Sequence, residues 1–151
     1  MKYAIVLPAG SGKTTLSKKY KNLIDIDSLL SEEEQIILKK LCIEAMDNNN
    51  WELHLNKEYE FIHKKIKSFD DSKILLCHHE SKALKYDLTV IGSFKIPEDI
   101  MLKVAKMRSE KDKFRGQCTI NNYKSCVNSK ILESHNKIEE EIKIILKNLN
   151  N

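Results

Sequence analysis

The stretch LPAGSGKTT, residues 7 to 15, limits what this chain can fold into more than any other. It follows a short apolar run, KYAIVL (2–7), and leads into KTTLSKKYK, where Leu16 and Tyr20 have helix-compatible spacing. Strand, glycine turn and helix in that order make a cradle for an anion. Glycines at 10 and 12 let backbone N–H groups turn inward, and the helix N-terminus adds partial positive charge. The spacing is that of G-x-x-x-x-G-K-[ST] with Leu7 in the place of the first glycine. That glycine eases the exit from the strand rather than touching a ligand. Pro8 biases its predecessor toward extended geometry, so a leucine facing the core is compatible with the loop. The pattern assigns phosphate binding to Pro8, Ala9, Gly10, Ser11, Gly12, Lys13, Thr14 and Thr15. In it Lys13 bridges the outer phosphates, Thr14 places its hydroxyl on Mg²⁺ and Thr15 serves an inner phosphate.

Further along, NLIDID (22–27) reads as a second strand, and strand alternation would point Asp25 and Asp27 the same way. Ser31 and Glu34 form an S-x-x-E capping box for a helix over 31–48, with Ile37, Leu38, Leu41, Cys42 and Ala45 on one face. After the DNNN break a second helix, 51–68, carries Leu55, Tyr59, Ile62 and Ile66. KILLC (73–77) has the continuous apolar character of a parallel-sheet strand and delivers His78, His79 and Glu80 to its C-terminal end, and DLTVIGSF (87–94) is a fourth strand. Pro97 opens a helix over 98–115 that Gly116 stops. CTI (118–120) is a candidate edge strand. A final helix over 126–148 carries a near-heptad stripe of Ile131, Ile138, Ile142, Ile145 and Leu149, too short for a coiled coil and suited to packing on the sheet.

Alternating strands and helices predict an α/β fold, a three-layer open and mostly parallel sheet of four or five strands flanked by helices, in a single domain spanning 1–151. Ligands of such sheets sit beyond the C-terminal strand ends, where the loop, Asp25, Asp27, His78, His79 and Glu80 all fall. With 41% hydrophobic and 32% charged residues the balance is globular, and no apolar run is long enough to span a bilayer. The four cysteines show no C-x-x-C pairing, which favours reduced thiols in a cytoplasmic setting over zinc or a disulfide framework. The net charge of +4 is spread among interleaved Lys and Glu, so no basic stripe points to DNA. Of 26 Lys and Arg residues only Arg108 and Arg115 are arginine, the side chain whose planar fork best grips a phosphate. Seven residues apart on one predicted helix, they would share a face.

The chain resembles P-loop NTPases and, among them, the small phosphotransferase kinases, the group that includes nucleoside monophosphate, shikimate and polynucleotide kinases. The resemblance rests on PAGSGKTT, on the DID that closes the second strand and on the Arg108/Arg115 helix standing where those kinases have their lid. It implies ATP (or another NTP) and Mg²⁺ as cofactors, with one aspartate near the metal and the other near the acceptor hydroxyl. Asp25 is assigned to the metal and Asp27 to acceptor binding or base duty, an assignment that is reversible. It also implies that the helices at 31–68 shape an acceptor pocket and that 98–115 is the lid, whose two guanidinium groups would neutralise charge on the transferred phosphoryl.

One departure stands out. A Walker B strand usually ends in an acid, whereas ILLC is followed by His78, His79 and Glu80, which either contact an anionic acceptor and hold water or metal, or are structural. The expected activity is Mg²⁺-dependent transfer of the γ-phosphoryl of ATP to a nucleoside, nucleotide or polynucleotide end. The alternative is NTP hydrolysis by a switch, assembly or nucleic-acid-associated factor, which Leu7 and the missing acid favour. A purely structural role conflicts with Lys13 and Thr14.

Overall fold

The N-terminal apolar run forms β1 (Tyr3–Val6), the central strand of a computed structural model that describes residues 1–150. β1 pairs in parallel with β3 (Ile74–Cys77) on one side and with β4 (Thr89–Lys95) on the other. β2 (Leu23–Asp25) lies outside β3 and β5 (Lys130–Ile131) outside β4, giving a five-stranded, all-parallel sheet in the order β2-β3-β1-β4-β5. The chain leaves β1 toward β2 and β3 and only later crosses to β4 and β5. The reversal of winding therefore falls beside β1, where open α/β sheets form their ligand crevice.

Alternation along the strands sorts the core onto both faces. Ile5, Ile74, Leu76 and Phe94 pack with Leu16 of α1 (Lys13–Lys19), Met101 of α5 (Glu98–Lys111), Tyr123 of α6 (Lys113–Ser125) and Ile138 and Ile142 of α7 (His135–Leu149). Ala4, Leu75 and Cys77 pack on the opposite face with Ile62 and Ile66 of α3 (Glu52–Lys67) and Ala83 of α4 (Glu80–Lys85). The expected packing of the last helix on the sheet is what is found. The capping box also forms: Ser31 Oγ accepts from the Glu34 N–H and Glu34 Oε1 from the Ser31 N–H, opening α2 (Glu32–Asn48).

Several elements differ from expectation. The second strand stops at Asp25, because the Asp25 carboxylate accepts from the Asp27 N–H and caps a 3-10 turn, Ile26–Leu29. The strand-alternation argument for Asp25 and Asp27 therefore fails. The predicted lid helix 98–115 is two helices. Asp112 adopts an extended backbone and its side chain accepts from the Phe114 N–H at 3.0 Å, the action of an N-cap, so Arg108 belongs to α5 and Arg115 to α6. Gly116 does not stop a helix but lies inside α6. A β-carbon there would fall 1.8 Å from Ser109 Oγ and 2.8 Å from the Ala105 carbonyl oxygen, so glycine lets α5 and α6 approach closely. CTI (118–120) is helical within α6, and the last helix begins only at His135, with Ile131 in the edge strand. On the predicted helical stripes, Ile37 and Leu55 face solvent. α4 was hidden in sequence behind HHESKALK.

Candidate functional site

The loop continues β1 without a break. The Leu7 N–H donates to the Cys77 carbonyl at 2.8 Å and its side chain is fully buried in the core. Among the described residues only Asn49 and Asp87 are non-glycines with positive φ, so nothing at Leu7 demands glycine. Gly10 and Gly12 do need their freedom, with φ of 89° and 95°. The Ser11 N–H donates to the Pro8 carbonyl at 3.1 Å, closing the turn, and Gly12 leads into α1. Ser11 is buried and its hydroxyl has no partner within the protein. Lys13 is buried as well. Burial pushes its ammonium below the usual lysine range, Asp27 and Asp25 pull it back up, and Lys82 and Arg108 add to the downward push.

Thr14 Oγ1 donates to Asp25 Oδ2 at 3.2 Å, bringing together the two side chains assigned to a metal. Among the described residues no three His, Cys, Asp or Glu converge. Mg²⁺ does not require such a cage, since it keeps several waters and takes one or two carboxylates plus substrate phosphates. A Thr hydroxyl beside a carboxylate at the mouth of a phosphate cradle is a donor set of that kind, and Thr14 and Asp25 are the residues that could hold the ion.

Asp27 sits at the centre of a charge network. Its carboxylate pairs with His78 Nε2, and Lys82 Nζ stands 4.0 Å from its other oxygen. Burial alone would raise its pKa, but His78, Lys82 and Lys13 together hold Asp27 well below the usual carboxylate range. His78 is shifted downward, burial being the largest cause, with Lys13 and Lys82 adding to it against Asp27, and its Nε2–H donates to the Asp27 carboxylate. Lys82 also pairs with Glu58 of α3 at 3.1 Å. Burial disfavours its charge, yet Glu58 and Asp27 raise its pKa overall.

The remaining predicted residues separate. His79 caps α4: its Nδ1 accepts from the Lys82 N–H at 3.3 Å and from the Ser81 hydroxyl. Glu80 begins α4, 3.4 Å from Asn128 Nδ2. Arg108 is half-buried and donates to Thr119 Oγ1 at 3.1 Å while lining a cavity beside the glycine loop, whereas Arg115 is exposed at the rim of a second cavity. The helix break has thus separated the two arginines between the two halves of the cleft.

Two cavities flank Thr14. One, about 440 Å³, is lined by Gly10, Lys13, Thr15, Arg108 and His135. The other, about 740 Å³, is lined by Asp25, Asp27, Glu58, Phe114 and Arg115. Sequence reasoning missed His135, whose Nε2 donates to the Gly10 carbonyl at 2.8 Å from the start of α7, and it missed Glu58 and Lys82. Glu58 was hidden as one acid on an amphipathic helix and Lys82 as one lysine among many. A Ser134 cap just before a histidine was the only local signal for His135.

The four cysteines are free thiols. No helix among the described residues is long and apolar enough to cross a membrane. No family model matches this chain, and comparison with curated proteins returns no match.

Proposed function

We propose that the protein is an ATP-dependent, Mg²⁺-requiring phosphotransferase of the P-loop kinase class, transferring the γ-phosphoryl group to a nucleoside, nucleotide or polynucleotide end. The observation that carries this reading is the position of Thr14, hydrogen-bonded to Asp25 on the wall between a cation-lined cavity and a carboxylate-lined one. A hydrolase needs room for the nucleotide and a water. A transferase needs a second, shaped cavity for an acceptor, and about 740 Å³ is within the range of small-molecule sites.

In this reading the loop N–H groups and Lys13 bind the phosphates, and the unpartnered Ser11 hydroxyl supplies one more donor. Mg²⁺, held by Thr14 and Asp25, would screen the phosphate charge and polarise the transferred group. Arg108 neutralises charge at the phosphoryl oxygens, and its bond to Thr119 keeps the guanidinium aimed into the cavity. Asp27, held ionised by its cationic neighbours, is a weak base. A loose phosphoryl-transfer transition state asks for little base catalysis, so its task is to orient the acceptor.

Incubation with γ-labelled ATP, Mg²⁺ and candidate acceptors tests the proposal. Label on an acceptor is the expected result. Label appearing only as inorganic phosphate, whatever the acceptor, would replace it with the hydrolytic alternative.

A further inference from the structure

Resting on the phosphotransferase reading, we infer that the group presented to the γ-phosphoryl is an uncharged hydroxyl and not a phosphate, and that Glu58, fixed by Lys82, is the specificity-determining residue that enforces this choice.

Charge in the larger cavity is sorted by exposure. One wall of the larger cavity carries three carboxylates: Asp25 and Glu58, only 7% and 8% exposed, and Asp27, whose carboxylate is half-exposed. Lys82 is itself buried and already engaged by Glu58 at 3.1 Å and Asp27 at 4.0 Å. Lys13 faces the other cavity. Both buried lysines beside these acids are already committed to them, Lys13 to Asp27 and Asp25 and Lys82 to Glu58 and Asp27. An ion held by Thr14 and Asp25 would be shared with the ATP phosphates, so no cation is left over for a second dianion. A terminal phosphate placed beside the three acids, two of them buried, would meet like charges, a juxtaposition that costs several kcal/mol of binding. A hydroxyl meets the same wall as a donor facing acceptors, which is favourable.

The outer part of the cavity has the opposite sign. Arg115 and Lys18 are exposed there, and the ring of Phe114 provides a flat apolar surface. Lys39, beside that ring, is committed to Asp112 at 2.8 Å. The arrangement suits an acceptor with a neutral hydroxyl at its inner end, a planar or sugar ring in the middle and tolerance for negative charge farther out. A free nucleoside and the 5′-hydroxyl end of a polynucleotide share that chemistry.

The transfer balances simply. The acceptor oxygen bonds to the γ-phosphorus as the bond to the β,γ-bridging oxygen breaks, and ADP leaves with that electron pair. The hydroxyl proton, acidified late in the step, passes to Asp27 and from its half-exposed carboxylate to water. Glu58 touches neither phosphorus nor leaving group.

The test uses the full chain with γ-labelled ATP and matched acceptors: nucleosides, a 5′-hydroxyl oligonucleotide, a simple polyol, nucleoside 5′-monophosphates and the 5′-phosphorylated oligonucleotide. The expected result is labelling of hydroxyl acceptors over their phosphorylated partners by about 100-fold or more in kcat/KM. The nucleoside and oligonucleotide arms tell the two sources apart. Glu58→Gln should raise the KM of the preferred acceptor by about tenfold, leave the KM for ATP unchanged and narrow the discrimination. Preferential or equal labelling of the monophosphates overturns the inference while leaving the phosphotransferase reading intact. So does an acceptor KM unmoved by Glu58→Gln. Label found only as free phosphate removes that reading and the inference with it. Should Glu58→Gln fail to fold, the hydroxyl-to-phosphate ratio of the unaltered protein decides.

Discussion

Leu7 shows how a single residue can depart from a motif without damaging it. Its side chain is fully buried, its N–H extends the pairing of β1 with β3, and the positive-φ turn begins only at the glycines beyond it. Leu7→Gly would complete the motif on paper and empty part of the core. We expect a loss of about 3–5 kcal/mol in stability, measured by denaturant unfolding, with no gain in ATP affinity. A second residue-scale prediction concerns His79. Burial, helped by Lys82 and His78, pushes this ring down to about 4, and its neutral Nδ1 is the cap of α4. The unfolded chain takes up the proton near pH 6.5, so the stability tied to neutral His79 is present above that pH. It is lost as pH falls from about 6.5 toward 4. His79→Asn preserves an acceptor cap and should flatten this part of the pH profile of Tm. A profile unchanged in the variant would mean that the cap does not titrate there. His78 and His54, both shifted downward chiefly by burial, titrate in the same direction and contribute to the slope that remains.

At the scale of elements, β1 to β4 were legible because each is a short apolar run ended by turn chemistry or charge, whereas β5, two exposed residues, was read as part of the last helix. The helices were legible wherever a cap preceded a stripe, as at Ser31. What was lost was lost to local signals that mean two things. Asp25 reads equally as a last strand residue and as the cap of a 3-10 turn, and only the Asp27 N–H, bonded back to its carboxylate, decides. Gly116 reads as a stop, yet its reason lies across space in Ser109 and Ala105. The loop and the aspartates of the site were visible from order along the chain. Glu58, Lys82 and His135 were not, because their roles come from tertiary approach between elements far apart in sequence. The α5–α6 contact makes a direct prediction. Gly116→Ala places a methyl group against a backbone carbonyl that cannot rotate away, and should cost about 1–3 kcal/mol through overpacking, measured as a lower unfolding midpoint. Because α5 and α6 carry Arg108 and Arg115 to separate cavities, the same variant should weaken phosphate-side and acceptor-side binding together, whereas either arginine variant should affect chiefly its own side.

Across the whole molecule, a sheet that reverses its winding beside β1 gathers the loop, β2 and β3 at one edge, and the hairpin of α5 and α6 reaches over that edge where Val104 and Thr119 pack on Gly10. The overall charge of +4 is modest, so the proposed anion binding would depend on local placement of Lys13 and Arg108 and not on a general basic field. Occupation of the phosphate cavity should therefore stabilise the fold as a unit. At a free ATP concentration a hundred times its Kd, with Mg²⁺, linkage gives about 2.7 kcal/mol. For a chain of this length that is roughly 5–11 °C in Tm. Lys13→Ala removes the buried cation that lines this cavity and should abolish the shift, while its own unliganded Tm stays near or above the parent's because a costly buried charge has gone. Adenosine, lacking phosphates, should give less than about a third of the ATP shift at the same concentration, since it forgoes the loop and both cations. A Lys13→Ala protein that ATP stabilises as fully as the parent would place nucleotide binding elsewhere on the molecule and detach the glycine loop from it.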